Sequence, residues 1–440
     1  MNRSRLTSLL LLVLAFTLVL SACGGNNGNN GNGASGSNDS GASSDPAASS
    51  GGPSEGSGDK EPVTLKISSW NPLSQKVIEK FEETYPYITV EPDQIADQYR
   101  EVLRTRIISK ADMDIAWMFP NQMREYVDQG VLMDMSNEAW KGNYLESAVQ
   151  LGTVNGKTYG VPYNYYAVVI FYNRDIFKKL GLEVPKTWEE LLAASEKIKA
   201  DGIAPFVTGG KDAWATQFLS SGNFGAYQHK DPQVFEKLAS GEKKWTDPEF
   251  ANFYDALSEL VDKGYFLENS VGLGNAQVVQ VFKEGKAAMY PMGSWALEEF
   301  PADFKDFEVG AFPIPLNKGG EPLVVNLISD NIFTGISWSK HPEEVKLFMN
   351  FIADPEIAKL WSEDTKSAVT VVGGTSPTYH SIAEELTQSI ESNVSTIFPS
   401  LTPSMEPAYF PMLQQILLKQ NPEKAKLMEE MQKAQDKDIK

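Results

Sequence analysis

The residue types that most often catalyse reactions or bind metal ions are scarce in this chain of 440 residues. Three histidines occur, His229, His341 and His380, and the only cysteine is Cys23. The histidines form no HExxH pattern, and without a second cysteine a transition-metal site is not expected. A GxSxG elbow, a P-loop and a GxGxxG turn are also missing. We therefore expect no metal ion, no cofactor and no catalytic residue, although the many carboxylates leave a glycosidase-like pair open.

Aromatic and amide side chains offer a different chemistry, the recognition of a polyol. A sugar ring has a flat face of C–H groups, which suits an aromatic ring, and a rim of hydroxyls, which suits amides and phenols. Trp70 and Asn71 follow the first strand-like run, and Trp214 follows Gly209 and Gly210 at another strand end. Side chains at such strand ends often face a crevice. We expect ligand contact at these three side chains, with packing under a loop as the alternative for the tryptophans.

The elements that must position these residues read as alternating strands and helices. Val63–Trp70 alternates like a strand, and Ser74 is placed to cap the amphipathic helix that follows it. Ala167–Asn173 reads as a buried strand, and Thr187 with Glu190 forms a capping box at the start of another helix. Strands that alternate with helices in this way predict an α/β fold.

The first residues have the layout of a secretory signal. Arg3 and Arg5 precede an apolar run from Leu9 to Leu20, and "LSAC" places Cys23 at the cleavage position. This motif resembles the bacterial lipobox, in which the cysteine becomes a lipid-modified N-terminus. We expect residues 1–22 to be a signal peptide and Cys23 to carry the lipid, with an ordinary signal peptide as the alternative.

Residues 23–60 read as a disordered linker. They are rich in Gly, Asn, Ser and Asp, and cannot bury enough apolar surface to offset the entropy of ordering. A flexible coil of this length spans roughly 30–35 Å. The formal net charge of −19 argues against nucleic acid or an anionic membrane surface as a partner. We expect the protein to contact the membrane through the N-terminal lipid alone, on the outer face of the cell membrane.

Several sequence segments resemble those of a known family, among them "NGKTYGVPYNYYAVVIFYNRDIFKKLGLEVPKTWEEL", "VFKEGKAAMYPMGSWAL" and "SKHPEEVKLFMNFIADPE". They are similar to the extracellular solute-binding proteins of ABC importers, family 1, and most to the group that resembles maltose-binding protein. The similarity extends from Val63 to nearly the C-terminus. It implies a two-lobed, type II periplasmic-binding-protein-like fold of the α/β class, with a ligand cleft between the lobes.

The resemblance also implies that the chain crosses between the lobes three times. By matching positions, we expect the crossings near Tyr166–Val168, Gly310–Pro313 and Trp361–Val369. The expected lobes are residues 61–166 plus 311–361, and 167–310 plus 362–440.

Matching positions in the family add further candidate ligand contacts. Trp295 and Tyr409 correspond to sugar-stacking aromatic residues, with Phe410 as the alternative to Tyr409. Tyr166 and Asn121 stand where the maltose-binding relative has charged contacts, so maltose itself is not assumed. The full set of expected ligand-binding residues is Trp70, Asn71, Asn121, Tyr163, Asn164, Tyr166, Trp214, Trp295, Asp330 and Tyr409.

Together, these features predict a lipid-anchored, monomeric binding protein. Its expected ligand is a sugar or oligosaccharide, which it would deliver to the permease subunits of an ABC transporter. Two alternatives are the same fold binding a polyamine, a phosphate ester or another metabolite, and a surface glycosidase. The candidate positions carry mostly aromatic and amide groups, which favours a neutral polyol.

Overall fold

The computed structural model describes residues 60–300, 304, 306–329, 331–376, 382–398, 401–402, 404–419 and 423–439. The expected signal peptide, Cys23, the linker up to residue 59, and Asp330 therefore lie outside the described residues. Within those residues, no helix combines the length and the apolar character that crossing a bilayer requires.

The strands alternate with helices along the chain, as the sequence predicts. In chain order, the strands are β1 (Val63–Ser69), β2 (Ile88–Gln94), β3 (Ile115–Met118), β4 (Thr153–Val154), β5 (Lys157–Thr158), β6 (Gly160–Pro162), β7 (Asn164–Asn173), β8 (Ala204–Phe206), β9 (Ala287–Gly293), β10 (Val309–Pro313), β11 (Val324–Ile328), β12 (Ile332–Gly335), β13 (Ala368–Val369) and β14 (Val394–Phe398).

The helices cover the faces of the sheets. They are α1 (Gln75–Thr84), α2 (Tyr99–Ile108), α3 (Pro120–Asp128), α4 (Glu146–Leu151), α5 (Arg174–Lys179), α6 (Trp188–Ala200), α7 (Phe218–Lys230), α8 (Val234–Ser240), α9 (Asp255–Asp262), α10 (Asn275–Lys283), α11 (Pro342–Ile352), α12 (Pro355–Thr365), α13 (Ala383–Ser392), α14 (Glu406–Leu417) and α15 (Lys424–Gln435). Short 3₁₀ helices occur at Ala139–Asn143, Ala213–Gln217, Pro248–Phe250, Ser270–Gly272 and Ser294–Glu299.

The first lobe is built on the sheet with strand order β2-β1-β3-β12-β6. β1 runs parallel to β2 and β3, whereas β12 is antiparallel to β3 and β6. The predicted helix α1 forms because its apolar residues Val77, Ile78 and Phe81 share one buried face, and the Ser74 hydroxyl accepts a hydrogen bond from the Val77 amide. This lobe has its own apolar core, which includes Leu65, Ile67, Phe81, Phe333, Phe348 and Trp361.

The second lobe is built on the sheet with strand order β14-β11-β7-β9-β8, and β10 and β13 also pair with β7. Nine of the ten residues of β7 are buried, as expected for a strand whose faces are both covered. A separate apolar core surrounds this sheet and includes Phe171, Phe206, Phe224, Tyr254, Tyr290 and Tyr409. Two cores on two sheets give the body its two lobes.

The second crossing between the lobes differs from the sequence expectation at Gly310–Pro313. β10 pairs with β7 from Val309 opposite Asn173 to Pro313 opposite Val169, and β11 pairs with the start of the same strand. The long edge of β7 needs both partners, since unpaired backbone groups inside a protein are costly. The chain reaches the first sheet only at β12, so we propose that residues 311–328 belong to the second lobe.

A buried polar network joins the three segments that run between the lobes. The Asn164 side chain donates a hydrogen bond to the Ser367 hydroxyl and accepts one of 3.1 Å from the Asn331 amide. The Ser329 hydroxyl donates to the Asn164 carbonyl. All four residues are almost fully buried. The network gives hydrogen-bond partners to the polar groups that are buried where the chain passes from one lobe to the other. It also holds the three segments next to one another.

We expect Asn164→Leu to lower the free energy of unfolding by about 1–3 kcal/mol, because Asn331 and Ser367 would keep buried polar groups without this partner. Urea denaturation of the purified protein measures the change. Asn350→Leu is the matched control, since Asn350 lies exposed on α11 and should change stability by at most about 0.5 kcal/mol. Equal losses in the two variants would contradict the role of the network.

Candidate functional site

A row of aromatic rings lies on the second lobe. Trp295 contacts Tyr166 edge to face, with ring centroids 5.3 Å apart, and its other neighbour is Phe218 at 5.5 Å. Phe218 in turn contacts Trp214 at 6.1 Å. Trp214 is 39% exposed, and Trp295 and Tyr166 are half-buried. Phe218 is buried and supports the row from the core side, so only Trp214, Trp295 and Tyr166 have ring surface exposed to solvent, as sugar stacking requires.

The position of Trp295 follows from the end of β9. The indole lies across Gly293, and a Cβ atom added there would come within 1.9 Å of the ring. Only glycine allows this approach. The next residue, Ser294, accepts a hydrogen bond of 3.1 Å from the Ala167 amide on β7, which ties the turn to the neighbouring strand. The sequence Gly-Ser-Trp therefore holds the indole at the strand end.

Trp214 is held by a loop packed against the rest of the second lobe. It lies in the 3₁₀ helix Ala213–Gln217, which α14 packs against. Gly209 and Gly210 precede it, and a Cβ atom at Gly209 would lie 2.7 Å from the Leu273 carbonyl oxygen. The Gln414 side chain on α14 donates to the Gly210 carbonyl. These contacts place Trp214 beyond the strand end, as the sequence predicts.

The first lobe contributes a second group of rings. Trp70 stacks on Phe119 with centroids 4.5 Å apart and planes 8° from parallel. Trp117 and Tyr99 contact Trp70 edge to face at 5.1 and 5.2 Å. The Tyr99 hydroxyl donates to the Trp117 carbonyl at 2.7 Å and lies 3.0 Å from the Ser68 carbonyl oxygen, and burial raises the pKa of this phenol, so it stays neutral. The group is a rigid aromatic platform at the ends of β1 and β3.

One cluster of polar side chains connects the two lobes. Arg100, on α2 of the first lobe, lies with its guanidinium 3.9 Å above the Phe119 ring. Its Nη1 atom forms a 2.8 Å ion pair with Oε2 of Glu406, at the start of α14 in the second lobe. The Asn121 amide donates to Oε1 of the same carboxylate at 3.1 Å. The cluster brings the platform of Trp70 next to the second lobe.

Five of the expected ligand-binding residues have positions compatible with that role. Trp214, Trp295 and Tyr166 share one surface of the second lobe, while Trp70 and Asn121 lie by the contact between the lobes. Asn71 is exposed immediately after β1, and its carbonyl accepts a hydrogen bond of 2.7 Å from the Ser69 hydroxyl. Asp330 lies outside the described residues.

The burial of Tyr163 and Asn164 argues against the expected ligand contact at these residues. Tyr163 is fully buried, its hydroxyl donates to the Ile352 carbonyl at 2.8 Å, and its ring packs on Trp361 at 4.7 Å. Desolvation raises the pKa of this phenol well above its usual value. Asn164 uses its side chain in the network between the lobes. Both residues lie just before or at the start of β7, inside the crossing rather than in the cleft.

Burial also argues against the expected ligand contact at Tyr409. Its ring is fully buried in the second core between Phe224 and Phe253, and its hydroxyl shares a 2.8 Å hydrogen bond with Ser220. It lies on the face of α14 that packs inward. Phe410, the alternative named from the sequence, is half-buried beside it.

The sequence analysis did not identify Phe119, Arg100 or Glu406. Phe119 lies two residues before Asn121 and Glu406 three residues before Tyr409, so closeness in the chain to these expected ligand-binding residues was the available signal. Arg100 has no such signal, because its partner is 306 residues away. Within the described residues, no group of His, Cys, Asp and Glu is arranged to hold a metal ion. A pocket of about 660 Å³ between α5 and α10 contains none of the aromatic residues above.

Comparisons with known proteins identify relatives of the whole body. Residues 68–359 match the family of bacterial extracellular solute-binding proteins. The multiple sugar-binding protein of Streptococcus mutans is 28% identical over 311 residues, 68% of this chain and 72% of that protein. A chitin oligosaccharide binding protein of known structure matches with a TM-score of 0.72 and 26% identity, over 86% of this chain and 98% of its own. The apo form of RafE from Streptococcus pneumoniae has a TM-score of 0.71 and 22% identity, over 87% of this chain and 100% of its own. These matches confirm the expected two-lobed type II α/β fold.

We expect Glu406→Gln to weaken the contact between the lobes by about 0.5–1 kcal/mol, since the amide cannot form an ion pair with the half-exposed Arg100. The ratio of open to closed forms should rise roughly 2–5-fold, because 1.4 kcal/mol corresponds to a factor of ten. Small-angle X-ray scattering without ligand should then report a larger radius of gyration.

Glu83→Gln is the control for this change. Glu83 pairs with Lys80 at 3.2 Å, and both residues lie on α1 of the first lobe, so the variant loses the same charge away from the contact between the lobes. A radius of gyration that stays at the parent value in Glu406→Gln, or rises equally in both variants, would show that the ion pair does not hold the lobes together.

Proposed function

Because the chain belongs to the bacterial extracellular solute-binding proteins, we propose that it captures a sugar or oligosaccharide between its lobes and delivers it to the permease subunits of an ABC importer. The observation that carries this proposal is the set of partly exposed rings: Trp214, Trp295 and Tyr166 on one lobe and Trp70 on the other. Ring faces on two lobes suit the C–H faces of pyranose rings, and the nearby amide of Asn121 suits hydroxyls.

The charges at the site favour a neutral ligand over the alternatives. A polyamine would need several carboxylates, and a phosphate ester would need a free guanidinium or helix N-terminus. Arg100 and Glu406 neutralise each other across the lobe contact, so neither presents an uncompensated charge. The relatives named as multiple sugar-binding and chitin oligosaccharide binding proteins support the same ligand class.

Capture requires that the lobes close on the ligand. A ligand shifts the open–closed balance only by the contacts that it makes in the closed form and lacks in the open form. The two aromatic groups belong to different lobes, so a sugar held by both would gain such contacts on closure. The three segments joined by Asn164 are the natural hinge, because they are the connections between the two cores.

Delivery requires that the protein stay near its permease. We propose that residues 1–22 are removed, that the thiol of Cys23 carries a lipid, and that residues 23–60 act as a flexible tether on the outer face of the membrane. The support is the sequence of this segment: a charged start, an apolar run and a lipobox-like "LSAC". A monomer is sufficient for this function, because both walls of the site come from one chain.

The ligand class can be tested by thermal unfolding of residues 59–440 with a panel of mono- and oligosaccharides, spermidine and glycerol 3-phosphate. We expect one carbohydrate class to raise the melting temperature by several degrees at saturating concentration, and the two charged compounds to leave it unchanged. Stabilisation by spermidine or glycerol 3-phosphate alone would overturn the assignment to sugars. Chromatography of the recovered sugar should show no cleavage, and turnover would identify an enzyme.

The stacking assignment can be tested with Trp295→Ala and Trp214→Ala. We expect each variant to bind the identified sugar roughly 10–30-fold more weakly by isothermal titration calorimetry, since aromatic anchors commonly contribute about 1.4–2 kcal/mol.

Trp188→Ala is the control for both tryptophan variants. Trp188 is a half-buried tryptophan of the same lobe whose indole donates to Glu259 at 2.8 Å, away from the aromatic row. If all three variants bound the sugar as tightly as the parent protein, the row would not be the ligand site.

A further inference from the structure

Trp214 lies in a loop, whereas Trp295 directly follows a strand and its turn. All seven residues of β9 are buried, and the strand pairs with β7 and β8, so two neighbours fix the turn that carries Trp295. Residues 207–217 belong to no strand and connect β8 to α7. Because loops are in general more mobile than the elements that they join, the Trp214 ring keeps one position only if other contacts fix this loop.

One such contact is made with the start of α10. The N-cap of this helix is Gly274, which has no side chain to accept a hydrogen bond from the first turn. Oδ2 of Asp212, two residues before Trp214, instead accepts a hydrogen bond of 2.6 Å from the amide of Asn275, the first residue of the helix. A helix N-terminus favours a carboxylate, because its free amides and its dipole both attract negative charge.

The contact depends on a close approach of two backbone segments. A Cβ atom added at Gly274 would lie 3.1 Å from Oδ2 of Asp212, so glycine leaves room for the carboxylate. The Lys211 amide donates a hydrogen bond of 3.1 Å to the Leu273 carbonyl. The backbone before Trp214 therefore runs against the backbone before α10, and the Asp212 side chain adds a second bond between them.

Asn275 also joins this contact to the strand that precedes Trp295. Its Oδ1 atom accepts a hydrogen bond of 2.9 Å from the hydroxyl of Tyr290, which is fully buried on β9. Burial raises the pKa of this phenol, so the hydroxyl stays protonated and remains a donor. The same strand ends at Gly293, on which the Trp295 indole lies. Asn275 thus links the Trp214 loop, through its backbone, with β9, through its side chain.

We propose that Asp212 is a positioning residue for sugar binding. Its carboxylate holds the Trp214 indole in one place relative to Trp295, while Phe218 contacts both rings from the core side. A loop that is already fixed loses less conformational entropy when a ligand stacks on it, so the two rings can bind one sugar at a lower cost. The inference rests on the proposed function, and it gives Asp212 no contact with the sugar.

A double-mutant cycle distinguishes positioning from direct contact. The variants are Asp212→Ala, Trp214→Ala and the double variant, and the probe is the sugar that stabilises the parent protein most in the thermal panel, with raffinose and triacetylchitotriose in that panel. We expect Asp212→Ala to weaken binding roughly 3–10-fold by isothermal titration calorimetry, since the indole is kept but its loop is released. In the Trp214→Ala background, the same change should alter the affinity less than about 2-fold.

Two matched variants accompany the cycle. Asp212→Asn keeps an oxygen that can accept from the Asn275 amide, so it should stay within about 2-fold of the parent affinity. Asp354→Ala removes another capping aspartate, which accepts hydrogen bonds of 2.8 and 3.3 Å from the Glu356 and Ile357 amides at the start of α12, in the first lobe. It should lower the melting temperature, as Asp212→Ala does, and leave the affinity for sugar unchanged.

Hydrogen–deuterium exchange without sugar tests the loop itself. Asp212→Ala should speed exchange in peptides that cover residues 207–217, because the loop loses a bond to α10, and Asp354→Ala should not. A role of Asp212 in stabilising the helix alone predicts faster exchange in residues 274–283 and an unchanged rate in the loop.

The outcomes separate this inference from the proposed function. Equal losses of affinity in the two backgrounds, parent-like affinity in Asp212→Ala, or unchanged exchange in residues 207–217 would each overturn the positioning role and leave sugar binding intact. If no sugar of the panel binds the parent protein, the proposed function is wrong, and the exchange rate of the loop then decides alone whether Asp212 fixes it. A loss of affinity that requires Trp214, faster loop exchange and recovery in Asp212→Asn together support the role.

Discussion

The ten-residue strand β7 is the constraint on which the rest of the structure depends. Its first residue, Asn164, lies in the network between the lobes, and its edges are occupied by β9 on one side and by β10 and β11 on the other. The register with β9 sets Val168 opposite Gly293, which brings Tyr166 and Trp295 into edge contact. One strand thus fixes the network at Asn164, between the lobes, relative to the rings of Tyr166 and Trp295. A shift of its register by one residue would turn Tyr166 to the other face of the sheet.

The contact between Arg100 and Glu406 gives the site its electrostatic character. Each charge alone would attract an oppositely charged solute, but together they present a nearly neutral surface between two aromatic groups. The guanidinium also stacks on Phe119, so its position is fixed by the ring as well as by the carboxylate. The carboxylate has the further advantage of lying in the first turn of α14, where the helix dipole favours a negative charge. A neutral polyol can form hydrogen bonds with such a pair without paying for the separation of charges.

The sequence predicted the features that depend on interactions between residues close together in the chain. The cap of α1 by Ser74, the cap of α6 by Thr187 and the placement of Trp214 and Trp295 after strand ends all depend on neighbours in the chain. The sequence could not decide the features that depend on contacts between distant segments. Tyr163 and Tyr166 stand three residues apart in one aromatic run, and only the packing of Trp361 shows which of them is enclosed. Tyr409 and Phe410 are adjacent on a helix, and the core of the second lobe decides which points inward. The crossing after β11 depends in the same way on the free edge of β7.

The ion pair between the lobes also bears on affinity. Contacts that join the lobes in the absence of ligand populate the closed form, and a ligand that needs this form then loses less of its intrinsic affinity to the cost of closing. Such contacts also hinder entry if they hold the cleft shut, because a solute reaches the rings only while the lobes are apart. A pair that is about one-third and one-quarter exposed is screened by water, so it biases the balance without locking it. A receptor that must both capture and release its solute needs an ion pair of this intermediate strength. A buried ion pair in the same place would hold the lobes together too strongly.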